Sequence, residues 1–599
     1  KPTIAPRVFP FARGANFYSL QKGSVPLVLF LKSLQVFFRR RRVSVVALLL
    51  LAGIMAYMVY RCYTYTLNWD VMLNVSAVQT ECLTFFIVSL YISYEYIYAV
   101  RHSGLAECAA AHRHGKARLY GSAFCVPACL VFLLFFIPSC FNLGIAIAGG
   151  VTDLSYYGHI LMVNFLDIFL LCLLASLLGG CLALRLKRIP AYAVMALVIF
   201  ILSPMSDMLP GLASDRSHIN FWPAKWIFSK VLPQNTTWIT EFQYGLSNET
   251  LRWNLTLFWC FLLLALALPA VLKKKSRARL TSVLLCLLLA GGNLLGYFAG
   301  GSEMKLGPYP DSISRGDYEY YRDHPQKQQA AGFTVAAYNM NLQIGRALDA
   351  TVQMALSAAP ASGEYIFTLY RGYEVSSVTD AGGSPLSYVR DGDYITVQAP
   401  PSGNTVVLCY SGYSPILYSN SQAALLPGCF PYYPIAGFHH INEGGQGYTP
   451  VTNGFSSQFT VRAGGGKPVY CNLPAIEGEK NAFSGTSDCL TLMRGFLTEE
   501  EENGFRFCSL SIGGFESRPI DGDYLAELQN AVTKAEQVSN APRHLDLREK
   551  KIFQTYNTFA GWAGYGPMVD LGDHMILWCN NREFINQFAQ NLVKEFCYA

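Results

Sequence analysis

The sequence predicts a multi-span α-helical membrane domain of about seven transmembrane helices, followed by a mainly β domain, a β-sandwich, with a few C-terminal helices. Of 599 residues, 52% are apolar and only 14% are charged, which is too little charge for an ordinary soluble protein. Apolar segments long enough to cross a bilayer recur up to about residue 300. After residue 330, short runs of β-branched and aromatic residues alternate with turn signals.

The last apolar segment, Leu280 to Phe298, divides these two halves. About 19 residues of helix at 1.5 Å each cross the hydrocarbon core. Basic residues precede it, at Lys273, Lys274, Lys275, Arg277 and Arg279. Because such clusters stay in the cytoplasm, this helix is expected to place the C-terminal domain on the extracytoplasmic side of the cell membrane.

The earlier apolar segments obey the same charge rule. The predicted spans are Val43 to Tyr60, Glu81 to Val100, a part of Leu119 to Ala148, Gly158 to Leu184, Ile189 to about Met205, Trp253 to Leu272 and the segment above. With the N-terminus in the cytoplasm, every basic cluster falls on one side. The expected domains are a cytoplasmic segment with an interfacial helix (1–42), a transmembrane domain (43–300), a linker (301–329), a β-sandwich (330–515) and a helical lead-in segment (516–599).

Three sets of residues in or beside the spans stand out. Asp167 lies three residues after Asn164 and so on the same helical face, and a carboxylate at that depth is costly unless it faces protein or water. A packing role and a role in a transport pathway both stay open for this polar pair. The glycines Gly292, Gly296 and Gly300 recur every four residues, which is typical of close helix packing. Glu95 is expected to reach the interface or to pair with Arg101.

The connection after the second span reads AVRHSGLAECAAAHRHGKARLYG. An aromatic-rich span, then Ser-Gly-hydrophobic-x-Glu, then a basic segment resembles permeases of the ABC-2 exporter class. The resemblance implies that this connection touches a separate cytoplasmic ABC ATPase, and that two permease units assemble. The residues expected to form this ATPase-coupling loop are Arg101, Gly104, Glu107, Arg113, Lys116 and Arg118. A basic cytoplasmic loop without a partner is the other interpretation.

The sequence contains no nucleotide-binding loop of its own. Its Gly-Lys pairs, at 115–116 and 466–467, are followed by Ala117 and Pro468, so neither completes GxxxxGK[ST]. ATP is therefore expected to act only through a separate subunit, and no cofactor is expected in this chain. Because the basic residues lie in short clusters at helix ends, they predict contact with the lipid bilayer and not with nucleic acid.

The second half carries strand signals at 365–370, 373–378, 394–398, 405–410, 457–462 and 504–512. The motifs LYRGYEVSSV, SYVRDGDYITV, VVLCYSGY, LPGCFPYYP, YCNLP and FSGTSDCLTLMRGFL, in this order between 369 and 497, resemble the N-terminal β-domain of M1-family aminopeptidases, in the version fused to bacterial ABC-2 permeases. Helical periodicity follows at 523–537 and 582–596.

The zinc motif of that family is absent, since no histidine here is followed by Glu and HExxH cannot form. We name no catalytic and no metal-binding residue, and whether the protein is an enzyme stays open. The expected function is a permease subunit of an ABC-2-like transporter with an extracytoplasmic peptidase-like domain. The alternatives are a membrane-tethered zinc aminopeptidase whose catalytic domain, with its zinc, lies beyond residue 599, and a non-transporting envelope sensor or scaffold.

Overall fold

The computed structural model describes a helical bundle followed by a β-rich domain with C-terminal helices. The described residues are 31, 34–35, 37–38, 41–65, 71–103, 105–111, 115–217, 221–233, 242–272, 277–299, 317, 320–357, 360, 362–414, 417–442, 448–513, 518–555, 568–577 and 585–597. Most of the predicted interfacial helix and most of the predicted linker lie outside them. The division into a helical and a β-rich half is thereby confirmed.

Six helices in the described ranges are long and apolar enough to cross a membrane, or seven if one bent pair counts as a span. They are Val43–Arg61, Asn74–Arg101, Gly115–Ala148, Leu154–Arg185, Thr250–Val271 and Arg277–Phe298. Each overlaps a predicted span. Hydropathy located these helices because an apolar stretch of about 20 residues is long enough to cross the hydrocarbon core and is unfavourable in water.

The fifth predicted span, Ile189 to about Met205, needs a correction. The chain bends by 76° between Arg188–Leu202 and Pro204–Ala213. Ser203 has an extended backbone, with ψ of 154°, because a residue that precedes proline is pushed out of the helical region. The segment is thus a broken helix and not one straight crossing.

The helices of the bundle are α1 (Arg41–Tyr65), α2 (Val71–Thr80), α3 (Cys82–Arg101), α4 (Leu105–Ala110), α5 (Gly115–Ala148), α6 (Leu154–Asn164), α7 (Leu171–Arg185), α8 (Arg188–Leu202), α9 (Met208–Ser217), α10 (Trp222–Ser229), α11 (Thr250–Val271) and α12 (Arg277–Phe298). A π-helical turn, Phe165–Leu170, joins α6 to α7 in one continuous helix. The helices α3 and α7 pack closely, since a Cβ at Gly179 would lie 2.5 Å from the Leu90 carbonyl oxygen. Small residues allow this approach.

The strands are β1 (Val335–Ile344), β2 (Leu348–Leu356), β3 (Glu364–Thr368), β4 (Tyr373–Asp380), β5 (Tyr388–Asp391), β6 (Tyr394–Gln398), β7 (Thr405–Gly412), β8 (Ala424–Leu426), β9 (Ile435–Ala436), β10 (Ser457–Gly464), β11 (Tyr470–Cys471), β12 (Ala482–Ser487), β13 (Leu492–Arg494), β14 (Leu497–Glu502), β15 (Phe505–Leu510), β16 (Lys551–Gln554), β17 (Met568–Asp570) and β18 (His574–Leu577). They form sheets of six (β12-β10-β1-β2-β7-β4), four (β5-β6-β3-β9), three (β11-β13-β8) and five strands (β14-β15-β16-β18-β17). The predicted strands are all present, and the β-sandwich arrangement stays a prediction.

The C-terminal part is more than the helical segment expected from the sequence. The helices α13 (Gly522–Ser539) and α14 (Ile585–Leu592) match the predicted periodicity. Between them lie β16, which pairs with β15, and then β18 and β17, which continue the five-stranded mixed sheet beyond β16. The buried side chains of both helices pack in one apolar cluster with Ile552 and Met575 of that sheet.

Two apolar cores meet where the bundle adjoins the β-rich domain. The ends of several bundle segments belong to the same buried cluster as the β-rich domain, namely Val71, Met72, Val75, Ala146, Tyr156, Ile160 and Val163. A few residues further into the bundle, Val78, Leu134, Ile168 and Leu251 belong to the second cluster. A separate attachment lies beyond α12, where Arg346 Nη1 donates to the Ala299 carbonyl oxygen at 2.5 Å.

Candidate functional site

A layer of buried polar side chains lies at the boundary between the two apolar cores. We define this polar layer as Ser139, Asn142, Asn164, Asp167, Glu249 and Arg252, none of which is more than 3% exposed. They occupy α5, the continuous helix α6–α7, and the start of α11. Burying charged side chains in an apolar bundle is costly. Such residues therefore have a functional role more often than a purely packing one.

The centre of the polar layer is an ion pair between Asp167 and Arg252. Arg252 Nη2 donates to Asp167 Oδ1, and both side chains are 1% exposed. The guanidinium also donates to the Ser247 carbonyl oxygen at 2.8 Å and to the Lys230 carbonyl oxygen at 3.4 Å. The sequence analysis singled out Asp167 but not Arg252, and the structure identifies Arg252 as its partner.

Glu249 is a second buried carboxylate in the polar layer. It occupies the residue before α11, where the helix dipole favours a negative charge. Its Oε1 accepts from Ser247 Oγ and, at 3.3 Å, from the Tyr244 hydroxyl. Through Ser247, the two carboxylates and the guanidinium belong to one connected network.

The amide side chains of the polar layer link α5 to its neighbours. Asn164 Nδ2 donates to Ser139 Oγ at 3.2 Å. Asn142 Nδ2 donates to the Val75 carbonyl oxygen at 3.4 Å. Each of these amides uses its nitrogen in a bond between helices, and its oxygen is buried without a hydrogen-bond donor among the described residues.

The segment 242–249, which enters α11, is held by the β-rich domain through Gln243. The Gln243 amide donates to the carbonyl oxygens of Ala424 at 2.9 Å and Arg494 at 3.2 Å. Its side-chain oxygen accepts from Thr555 Oγ1 at 2.5 Å, and its backbone oxygen accepts from Phe496 N at 2.9 Å. We call 242–249 the clamped segment, because it begins at these bonds and ends beside the ion pair.

Gln422 of the β-rich domain reaches back toward the clamped segment. Its Nε2 donates to the carbonyl oxygens of Tyr244 at 2.8 Å and Leu246 at 2.7 Å, and its Oε1 accepts from Asn248 N at 2.9 Å. Each half therefore contributes one glutamine side chain that is hydrogen-bonded to backbone groups of the other half. These hydrogen bonds determine which residues of the two halves lie opposite each other.

Aromatic packing completes the junction on the side of α6. Phe496 contacts the rings of Tyr156 and His159, with centroids 5.2 and 5.0 Å away. His159 Nε2 lies 2.9 Å from the Leu246 carbonyl oxygen, so it also contacts the clamped segment. The first two turns of α6 are thus part of the contact with the β-rich domain.

A different buried acid cluster lies within the β-rich domain. Asp317 Oδ1 accepts from Arg371, and its Oδ2 accepts from the hydroxyls of Tyr370, at 2.7 Å, and Tyr448. Burial raises the pKa of Asp317 even though Arg371 opposes the shift. Nearby, Asp393 Oδ1 accepts from Arg371 N at 2.6 Å, and burial raises the pKa of Asp393 to about 6.

The expected ATPase-coupling residues lie at the other end of the bundle. Arg101 Nη1 donates to the Ala183 carbonyl oxygen at 2.9 Å, which joins α3 to α7. The side chains of Glu107, Lys116 and Arg118 are exposed. Gly104 and Arg113 lie outside the described residues. Glu95 does not pair with Arg101, as one expectation held, but with Arg188 at 3.3 Å and with the Tyr192 hydroxyl at 2.6 Å.

Of the predicted packing glycines, Gly296 adjoins α11. A Cβ there would lie 2.8 Å from Asn254 Nδ2, whereas a Cβ at Gly292 would meet open space. Gly300 lies outside the described ranges. A role in helix packing therefore has a contact to support it at Gly296.

The residues that the structure describes do not fit a zinc site. Among them, no group of three or more His, Cys, Asp or Glu side chains could hold a metal ion. The zinc chemistry that the M1 resemblance implies thus has no ligands in this part of the chain.

No protein-family model matches the sequence, and no curated protein matches it. Among solved structures, it is similar to the M1 zinc metallopeptidase from Deinococcus radiodurans, with 13% identity, a TM-score of 0.28, and coverage of 45% of this chain and 65% of that one. Aminopeptidase A from Legionella pneumophila is 10% identical, with a TM-score of 0.32 and coverage of 45% and 35%. An aminopeptidase N family protein from Idiomarina loihiensis is 10% identical, with a TM-score of 0.26 and coverage of 40% and 42%. The chain spans less than two-thirds of each, and similarity this low carries no statement about function.

Proposed function

We propose that this protein is the membrane-embedded permease subunit of an ABC-2-like transporter, with a β-rich extracytoplasmic domain coupled to its helical bundle. The observation that carries the proposal is the clamped segment. Gln243 is bonded into the β-rich domain at one end of it, and Glu249 and Arg252 lie in the polar layer at the other. A movement of the bundle around Asp167 would therefore reach the external domain.

The bundle has features that a simple membrane anchor does not need. One apolar helix suffices to tether a domain. This bundle instead buries the Asp167–Arg252 pair and contains a helix broken by 76°. Ionisable residues within spans and interrupted helices are typical of transport proteins, where they line pathways.

The positions of charged residues support the expected sidedness. Arg101, Lys116 and Arg118 lie at the ends of α3 and α5 that are remote from the β-rich domain. The connection 149–153, at the end that adjoins that domain, has no Lys or Arg. By the positive-inside rule, the N-terminus is cytoplasmic and the β-rich domain is extracytoplasmic.

The proposal requires a partner, since the sequence has no nucleotide-binding loop. We expect a separate ABC ATPase to bind the exposed coupling residues Glu107, Lys116 and Arg118. The test is affinity purification of the full chain from its native membrane in mild detergent, followed by mass spectrometry. A co-purifying polypeptide with a complete GxxxxGK[ST] motif supports the proposal.

The matched variants are Lys116→Glu with Arg118→Glu, and Lys187→Glu as the control. Lys187 is exposed at the same end of the bundle, between α7 and α8, so it receives the same kind of charge change away from the coupling loop. The double variant is expected to lose the ATPase at an unchanged membrane level, and the control is expected to retain it. Recovery of intact wild-type chain without any ATPase would overturn the proposal and leave a tethered peptidase or a scaffold as the readings to pursue.

A further inference from the structure

The polar layer holds more buried acceptors than donors. Four oxygen atoms in it have no hydrogen-bond donor among the described residues: Asn142 Oδ1, Asn164 Oδ1, Asp167 Oδ2 and Glu249 Oε2. The four side chains are no more than 1% exposed. Leaving buried acceptors unsatisfied is costly, and in native proteins such atoms usually have a water molecule or an ion as partner.

The charges of the polar layer also do not balance. Asp167 and Glu249 contribute two negative charges, and Arg252 contributes one positive charge to the same hydrogen-bonded network. Lys230 is buried beside it, but its backbone oxygen is what meets Arg252, and its ammonium lies over the Trp226 ring, 4.4 Å from the centroid. An uncompensated buried charge is expensive, so one further positive charge would stabilise the network.

We propose that the polar layer binds one monovalent cation, either Na⁺ or a proton, between the amide oxygens of Asn142 and Asn164 and the carboxylates of Asp167 and Glu249. Carboxylate and amide oxygens are hard ligands that suit such an ion. A single positive charge balances the net charge. Na⁺ would also serve the surplus acceptors as a shared partner, whereas a proton would reside on one carboxylate and give it one hydrogen to donate. This inference does not rest on the ATPase partner.

The site would be connected to the external domain through residues already bonded to it. Arg252 bonds both to Asp167 and to Ser247 of the clamped segment, and Gln422 bonds to Leu246 and Asn248 in the same segment. Binding of the cation would therefore change the electrostatic balance beside a segment that the β-rich domain holds.

The other titratable groups near the site limit how a pH effect can be interpreted. The Tyr244 hydroxyl faces Glu249 from the clamped segment. Cys82 of α3 interacts electrostatically with Asp167 and Arg252. Arg252 supplies the positive charge of the network, and Lys230 meets Arg252 through its backbone oxygen. Asp393 of the β-rich domain also has a pKa raised to about 6, so only the part of a change at mildly acidic pH that is lost in a polar-layer variant reports on Asp167 and Glu249.

The test measures thermal unfolding of the full chain purified in detergent. The melting temperature is compared in sodium chloride and in choline chloride at equal ionic strength, at pH 6 and at pH 8. Binding of radioactive sodium by equilibrium dialysis gives a direct second measurement. If the ion is Na⁺, sodium raises the melting temperature at pH 8 and roughly one ion binds per chain, since a ligand that binds only the folded state stabilises it. If it is a proton, the salts are equivalent and pH 6 raises the melting temperature.

The variants separate the site from general salt and pH effects. Asn164→Leu removes one unsatisfied oxygen without touching the ion pair, and Glu249→Gln removes the unbalanced charge. Both are expected to lose most of the sodium-dependent or pH-dependent shift. Glu95→Gln is the matched control, because Glu95 is a bundle carboxylate paired with Arg188 outside the polar layer, and it should retain the shift. A wild-type response to neither variable, or an equal response in all variants, would overturn the inference.

Discussion

Among the described residues, a buried aspartate pairs with an arginine once in the helical bundle and once in the β-rich domain, and the surroundings of the two pairs differ. Asp317 in the β-rich domain has both oxygens occupied, by Arg371 on one side and by two tyrosine hydroxyls on the other. Asp167 in the bundle uses Oδ1 for Arg252, while its Oδ2 has no donor among the described residues. Arg371 is 26% exposed, whereas Arg252 is 1% exposed.

The difference shows that the same type of ion pair can have two different roles. A buried carboxylate whose two oxygens both have donors does not need a further ligand to be satisfied. A carboxylate with a free buried oxygen is costly unless something else binds it. The pair in the β-rich domain therefore fixes the segment around Asp317, and the pair in the bundle retains capacity for a ligand.

The largest expected effect is that of breaking the bundle pair. Arg252→Met leaves Asp167 buried without its counter-charge, so the free energy of unfolding should fall by about 3–5 kcal/mol. Arg371→Met should cost less, because Tyr370 and Tyr448 still donate to Asp317. Unfolding in mixed detergent micelles measures both.

The double variant Asp167→Leu with Arg252→Met is the control for this experiment. It removes both charges, so it should recover most of the stability lost by Arg252→Met. If Arg252→Met and Arg371→Met lowered the free energy of unfolding equally, the proposed difference between the two pairs would be wrong.

The pH dependence of the β-rich domain gives the next largest effect. Burial raises the pKa of Asp393 to about 6, against about 4 in an unfolded chain. Between these values the folded state keeps a proton that the unfolded state has lost, so stability falls as the pH rises from about 4 to about 6. The contribution is at most about 3 kcal/mol.

Comparison of melting curves for the wild type and Asp393→Asn between pH 4 and pH 7 isolates this contribution. The difference between the two proteins should vary across that window and level off above it. The exposed Asp391, paired with Lys327 at 2.5 Å, provides the control variant Asp391→Asn, which should follow the wild type. A wild-type stability that rises through the window relative to Asp393→Asn would contradict the assignment.

The contact between the two halves should be weaker than either pair but specific. Gln243→Ala leaves the carbonyl oxygens of Ala424 and Arg494 without their donor, which should cost about 1–3 kcal/mol. The loss should also make the clamped segment more accessible to proteases. Gln398→Ala is the control, since Gln398 bonds to Glu364 on an exposed face of the β-rich domain. Unchanged protease resistance of Gln243→Ala would mean that the clamped segment is held by packing alone.

The smallest effect concerns the glycines of α12. Gly296→Leu would press on Asn254 of α11 and should destabilise the helix pair by about 1–3 kcal/mol. Gly292→Leu should be close to neutral, because a Cβ there meets nothing within 4 Å. Thermal unfolding measures the stability of both variants. An equal loss of stability would show that Gly296 is not needed for packing between α11 and α12.

The sequence predicted most of the bundle because hydropathy and charge act locally. The bend after Leu202 was missed, although Pro204 carried the signal for it. Arg252 was missed for another reason. It lies beside the predicted start of the sixth span, where a basic residue is typical of an interface, and its partner is 85 positions away. A pairing at that distance leaves no periodic pattern.

Strand prediction succeeded where β-branched and aromatic residues were dense and turn signals bounded them, and it failed where exposed positions carry poor strand formers. The turn Gly392–Asp393 joins β5 to β6, and Gly392 has a φ of 58°, a conformation that favours glycine. In contrast, β1 and β2 were not predicted, although they are central in the six-stranded sheet. The exposed positions of β1 include Asn339 and Asn341, which are poor strand formers. The parallel pairing of β1 with β10, more than 100 residues later, is visible only in the fold.

The helix pair α11–α12 has both of its ends tied to the β-rich domain. The clamped segment precedes α11, and Arg346 in the turn between β1 and β2 bonds to Ala299 just after α12. Between these points, α12 packs on α11 and exposes Leu284, Leu288 and Leu295. The chain thus closes a ring through the β-rich domain, so a displacement of that domain would act on both ends of the hairpin at once.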